Sequence, residues 1–379
     1  MTAQTQHAST GEFATITDAA VADLRAMIGE PIRSDRPHIG VLTPDAIRHY
    51  AFGIGDRNPL WVDEDYARRH DRPQGAPPSV LLAMDKVFGG YVTGLPGIHA
   101  MWAGAEFRFE RPLRVGDRLV GSATLKELRE RPSRFAGRSF QQTYQVPFHD
   151  EHGELVATGE SYCFRTERDT ARERRKYAEI RVTWTPEQIE EIAERYREEE
   201  ARRRGARPRY VDEVHVGDEV PRITKGPYTA TTAIAFLLGW GGLYVRAHGD
   251  AFGLFDRHPA LGIPNEWGVP EPPERVHWDP DLARRVGVPG AYDYGPERAS
   301  WMGHLVTDWM GDDGFLRRLS VQVRRHNVIG ELVTCTGRVK AVDPATGVVE
   351  LDLHATNQDG HESARGSAEV VLPIREGTR

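Results

Sequence analysis

What this 379-residue sequence lacks narrows its reading first. It has only two cysteines, Cys163 and Cys335, far apart and each in a strand-like segment. That scarcity excludes a disulfide framework and the paired cysteine spacing of a zinc site. It predicts two packed, reduced thiols and a cytoplasmic setting. No apolar run approaches the roughly 20 residues needed to span a bilayer, so no membrane partner is expected. The N-terminus, MTAQTQHASTGEF, has neither a basic region nor an apolar core and does not read as a secretory signal. Positive charge is not in excess: 49 Lys and Arg stand against 56 Asp and Glu, interleaved, for a net charge of −7. No nucleic-acid partner is expected from that balance. There is no Gly-rich nucleotide fingerprint after a strand, which argues against a redox enzyme. The length, with 39% hydrophobic and 28% charged residues, suits two domains of ordinary size.

What is there is a plan used twice. ERPLRVGDRLVGSATLKEL (110–128) and RRHNVIGELVTCTGRVKAV (324–342) share a basic residue, a turn, a Gly-acid pair and an alternating strand. DEHGELVATGESYCF (150–164) answers NQDGHESARGSAEVV (357–371), and LTPDAIRHYAFGIGD (42–56) answers YTATTAIAFLLGWGG (228–242). Ala103, Ala105, Phe107 and Phe109 alternate with polar residues or glycine, as do Val349, Leu351, Leu353 and Ala355. That is the period of an antiparallel sheet with one buried face. Two segments too apolar for surface helices, 79–92 and 296–310, predict a buried helix in each half. The charged stretch 166–208 carries a capping box, Thr185 with Gln188, and predicts a solvated connecting helix. The division is therefore 1–165, a connector over 166–208, and 209–379 with an insertion at 243–274.

The stretch GDRNPLWVDEDYA (55–67) gives this plan a chemical context. It resembles the loop of the MaoC-like hydratases and dehydratases, approximately Gly-Asp-x-Asn-Pro-Leu-His-x-Asp before a helix with Tyr-Ala, and departs from it at Trp61. The resemblance covers nearly the whole chain. It implies an α+β double hotdog, two antiparallel sheets each wrapped around a central helix. It also implies a reaction: Asp and His add water to an α,β-unsaturated acyl-CoA thioester or remove it, while a backbone N–H at the start of the buried helix holds the thioester carbonyl. No cofactor is implied, because the chemistry is proton transfer alone.

Tested against that chemistry, the first half is short of parts. Trp61 cannot take a proton, and Pro77 and Pro78 carry no N–H where the carbonyl would bind. Asp56 and Asn58 remain, to brace the loop or meet substrate. The second half offers His277 in a His-x-Asp context and Gly295 at the start of its buried helix. The position five before His277 is Pro272, and Asp250 in the insertion is the first choice for the missing carboxylate. Tyr292, Tyr294 and Arg298 are the further candidates to meet substrate, and Asp63 and Asp279 read as helix caps. The expectation is therefore a hydro-lyase of acyl-CoA and lipid metabolism, an enoyl-CoA hydratase or 3-hydroxyacyl-CoA dehydratase, whose second half reacts. A thioesterase, or a non-catalytic acyl-thioester-binding subunit, stays open beside it. So does assembly as a homo-oligomer or with another hotdog subunit.

Overall fold

The computed structural model describes residues 14–132, 138–167 and 180–375. Part of the expected connector, 168–179, lies outside these. The first half supplies β1 (His99–Phe109), β2 (Val120–Gly121), β3 (Thr124–Glu130), β4 (Ser139–His149) and β5 (Leu155–Thr166). The second supplies β6 (Glu219–Lys225), β7 (Ile263–Pro264), β8 (Pro270–Glu271), β9 (Phe315–Val323), β10 (Val333–Asp343), β11 (Val348–Asn357) and β12 (Glu362–Val371). All but the small β7–β8 hairpin join one antiparallel sheet in the order β2-β4-β5-β1-β9-β12-β11-β10-β6, with β3 also on β4. The halves meet at β1 and β9, where Gly104 pairs with Gln322 and Arg108 with Arg318. Alternation along β1 and β11 puts Phe107, Phe109, Val349, Leu351 and Leu353 inward, as their period requires. The result is the α+β double hotdog implied by the resemblance.

The two buried helices are not equal. Gly295–Met310 is a 16-residue helix whose residues from Pro296 to Met310 are all buried. Its counterpart holds only a 3-10 turn, Pro78–Val80, and one short helix, Leu81–Met84. Asp85 ends it: its backbone is extended, and its carboxylate accepts the Phe88 N–H at 2.8 Å, replacing a helical partner. The connector contains a helix, Pro186–Arg202, capped by Thr185 and Gln188. Both cysteines are free and buried. No helix among the described residues is long and apolar enough to cross a membrane.

The repeated helices Pro44–Gly53 and Ala230–Trp240 pack on each other across the pseudo-symmetry. Their equivalent glycines make the crossing close. A Cβ on Gly53 would lie 2.9 Å from the Ala235 carbonyl oxygen, and one on Gly239 2.7 Å from that of His49. Backbone cannot swing aside. Gly239→Ala is therefore expected to cost about 1–3 kcal/mol, read from the urea midpoint. Gly249→Ala, whose Cβ meets nothing within 4 Å, should leave the midpoint nearly unchanged.

Candidate functional site

Two sites occupy equivalent places, one in each half. In the first, the loop at 55–62 folds around Asp56, which is 1% exposed. One carboxylate oxygen accepts the Asn58 N–H at 2.9 Å, and the other accepts the Trp61 indole N–H at 2.9 Å. Asn58 accepts the Leu60 N–H with its side chain and starts the short helix Pro59–Val62. An indole donates only, so the residue in the histidine's place holds the aspartate and offers no base. Gly75 makes room for it, since a Cβ there would lie 2.5 Å from the Trp61 ring.

Behind Asp56 lies a charge cluster that sequence reading missed. Lys225 donates to His304 Nδ1 at 2.8 Å and to the Ile54 carbonyl at 2.7 Å. An ammonium donates, so Nδ1 accepts and Nε2 carries the proton. Nε2 faces Asp308 at 3.2 Å and Asp56 at 3.5 Å. Arg203 donates to the other Asp308 oxygen at 2.8 Å. Burial alone would raise the Asp308 carboxyl; His304 and Arg203 override it and hold it below its ordinary range. Burial pushes Lys225 down, with Asp56 opposing. Asp56, His304 and Asp308 could offer three ligand atoms to a metal ion. Their oxygens already serve Trp61, Asn58 and Arg203, and two cations stand in the same space. The donor set therefore suits an internal ion network better than a metal. One signal was legible: His304 and Asp308 stand at i, i+4 on the central helix.

In the second half, the turn Pro273–His277 carries the half-buried His277. Its ring stacks on Tyr294, with centroids 3.6 Å apart, and meets Tyr292 edge-on at 4.7 Å. His277 Nδ1 lies 2.7 Å from the Tyr292 carbonyl oxygen. A carbonyl only accepts, so Nδ1 bears the proton and Nε2 keeps its lone pair. Burial lowers His277 to about 3 against the help of that carbonyl, with His326 and Arg298 adding to the fall. His326, edge-on to Tyr292 at 4.4 Å, is likewise lowered to about 3, first by burial.

Tyr294 is followed directly by Gly295, the first residue of the central helix. His277 and the Gly295 amide thus share one neighbour and one place in the fold. The first N–H groups of a helix have no partner within it, and the dipole there favours negative charge. Trp102 of β1 roofs this position: a Cβ on Gly295 would lie 2.5 Å from its ring. The loop is braced by Asp293, which binds Arg298 at 2.7 Å and the Asn327 side chain at 2.7 Å. Arg298 also donates to the Ser363 carbonyl at 3.0 Å and is 1% exposed. Its guanidinium therefore holds the loop and does not face a ligand. Tyr294 is buried among Phe236 and Trp240.

The expected carboxylate partner stands apart. Asp250 is exposed in the first turn of the helix His248–Arg257, and no hydrogen bond or ion pair joins it to His277 among the described residues. Glu297 and Glu274, both buried, were missed. Glu274 accepts the Leu243 N–H at 3.0 Å and ties down the start of the insertion. Burial raises Glu297 well above the usual carboxylate range, with Asp293 adding to it. Asp63 and Asp279 cap the helices Glu64–Arg69 and Pro280–Arg285.

The lowered imidazoles bear on stability. Between about pH 6.5 and 3 the unfolded chain binds protons at positions 277 and 326 that the folded chain does not. Stability therefore rises with pH across that window and falls on acidification, by up to roughly 1.4 kcal/mol per pH unit for each histidine. Urea midpoints at pH 7 and pH 5 check this, and His326→Gln should flatten the slope.

Comparison with known proteins agrees with the architecture. A family model described as FAS1-like, dehydratase domain region, matches residues 26–159. A UPF0336 protein of Streptomyces griseus is 30% identical over 120 residues, 30% of this chain and 77% of that protein. One of Streptomyces coelicolor is 29% identical over the same length and shares. A solved MaoC-like dehydratase superposes with a TM-score of 0.66 at 19% identity, over 92% of this chain and 100% of that one. A Mycobacterium tuberculosis protein described as having a double hotdog fold gives 0.53 at 11% identity, over 89% and 96%.

Proposed function

The chain belongs to the MaoC-like dehydratase family, and we propose that it adds water to 2-enoyl-CoA thioesters, or removes it from 3-hydroxyacyl ones, at the His277–Gly295 site. A hydratase or dehydratase type of function follows from the family; the thioester and the residues are the proposal. One observation carries it. The His277 Nδ1–H is spent on the Tyr292 carbonyl, which leaves Nε2 a neutral acceptor next to the N-terminus of the central helix.

In the forward direction the oxygen of water bonds to Cβ of the enoyl group while its proton passes to Nε2. Electron density moves into the thioester carbonyl, where the Gly295 N–H and the helix dipole stabilise it. The imidazolium then gives its proton to Cα, completing the 3-hydroxyacyl product and restoring the neutral ring. Elimination is the reverse. A low pKa makes the ring a modest base and its conjugate acid a strong donor, which favours the return to Cα. Burial disfavours the charged form of Glu297, which lessens its competition with the developing enolate at the helix start. The first half, with its aspartate held by Trp61, takes no part in proton transfer.

The test is incubation of the full chain with crotonyl-CoA and with longer and branched enoyl-CoAs, following loss of the conjugated enoyl absorbance. Turnover supports the proposal. Free-thiol release without hydration identifies a thioesterase, and binding with neither reaction identifies a non-catalytic subunit.

A further inference from the structure

We propose that Trp102 of the first half sets substrate size at the His277–Gly295 site, restricting it to thioesters with a short acyl group. The inference rests on the hydro-lyase reading of that site and adds a specificity-determining residue to it. Its basis is a comparison of equivalent places in the two halves. β1 and β9 run past each other about the pair Glu106–Ser320, the middle of their register. Trp102 and Leu316 each stand four residues before that pair, and so are counterparts. A bulge follows each of them, between Trp102 and Gly104 in β1 and between Leu316 and Arg318 in β9. Bulges re-aim side chains and recur beside active sites. The helix starts match too. Gly75 bridges to Arg114 and Tyr292 to Val328, which puts Pro78 and Gly295 at corresponding positions.

Leu316 and Pro78 both line an open cleft of about 450 Å³. Trp102 and Gly295, in the corresponding places, are in contact instead, with the indole 2.5 Å from where a Cβ on Gly295 would lie. The ring therefore fills, over the second helix, space that stays open over the first. It is wedged there. Behind it stands Gly90, whose Cβ would lie 3.4 Å from the indole Cδ1 and 3.6 Å from a Leu243 methyl. The Leu243 N–H is held in turn by Glu274 at 3.0 Å. Trp102 Nε1 has no hydrogen-bond partner among the described residues, so the ring contributes bulk here and no bond. Bulk then decides what reacts. The thioester oxygen must come within about 3 Å of the Gly295 N–H, beneath the indole, and the acyl carbons follow it there. A four-carbon group ends at the reacting carbons and one methyl beyond them. Each further methylene must find room against a wedged ring.

The test is kcat/KM of the full chain for crotonyl-CoA and 2-decenoyl-CoA in the wild type, Trp102→Leu and Trp102→Phe. The wild type should favour crotonyl-CoA by about tenfold or more. Trp102→Leu, which carries the counterpart residue, should raise the decenoyl-to-crotonyl ratio by about tenfold or more. Trp102→Phe should fall between them, and guards against a leucine variant that does not fold. A wild type that takes both chains equally, or a ratio unmoved in the folded variants, overturns the proposal. Calorimetric titration with butyryl-CoA and decanoyl-CoA separates size selection from the reaction. If no enoyl-CoA turns over, the hydro-lyase reading fails, while the same upward shift in the affinity ratio upholds the size limit. An affinity ratio that does not shift, or binding of neither thioester, then overturns the size limit as well.

Discussion

Substituting His277 by alanine lowers kcat/KM for enoyl-CoA hydration by about 10²–10⁴-fold, the range supplied by one positioned acid–base group. The loss falls on kcat, because Nε2 acts on the water and not on the CoA moiety. His277→Gln is the sharper variant. Its amide can still donate to the Tyr292 carbonyl, which now accepts at 2.7 Å, so the turn is kept while the basic nitrogen is removed. Comparable losses in both variants, with unchanged circular dichroism, identify proton transfer as the cause. A second readout is the acid limb of kcat/KM. With the ring lowered to about 3, hydration should show no break near pH 6.5, where an ordinary histidine titrates. A break there, or full activity in His277→Gln, contradicts the role.

The second large effect is on stability. Lys225→Met removes one of two cations that balance Asp56 and Asp308 inside the protein, and leaves His304 Nδ1 without its donor. Breaking a buried ion network by deleting one member costs about 3–5 kcal/mol, because a desolvated charge is left uncompensated. Chemical denaturation reads this as a large drop in midpoint. Adding Asp308→Asn to Lys225→Met restores the balance, with Arg203 then facing Asp56, so the double variant should lose clearly less than the sum of the singles. Strict additivity would show that the four charged groups do not act as one unit. The network joins the loop of one half to the central helix of the other, so its loss is expected to loosen the halves from each other.

Much of this was legible in the chain, for identifiable reasons. Period-two runs such as 103–109 and 349–355 gave the strands, and the repeat at 42–56 and 228–242 gave the paired helices. Capping residues Thr185, Asp63 and Asp279 marked helix starts. These are local signals, and they translate directly into local structure. Trp61 in place of histidine was equally plain, although its indole bond to Asp56 needed the structure.

The misses were non-local. Lys225, the His304–Asp308 pair and Arg203 come from three separate segments, and no spacing rule joins the three. The first half's buried helix was expected through residue 92 but stops at Met84, because the Asp85 side chain caps Phe88. Asp250 follows Gly249, a Gly-Asp pair like that at 55–56, but such a pair does not fix how the insertion folds. The insertion instead folds as a helix that presents Asp250 to solvent. Glu297 and Trp102 escaped notice because neither residue type in its own context signals a site; only packing against the start of the central helix does.

The most direct measurement is to incubate the full chain with a 2-enoyl-CoA in heavy-oxygen water and locate the isotope by mass spectrometry. The account predicts label in the hydroxyl at C3 of an intact 3-hydroxyacyl-CoA, lost in His277→Gln. Label in the carboxyl of a released acid, or the absence of any 3-hydroxyacyl-CoA, would contradict it.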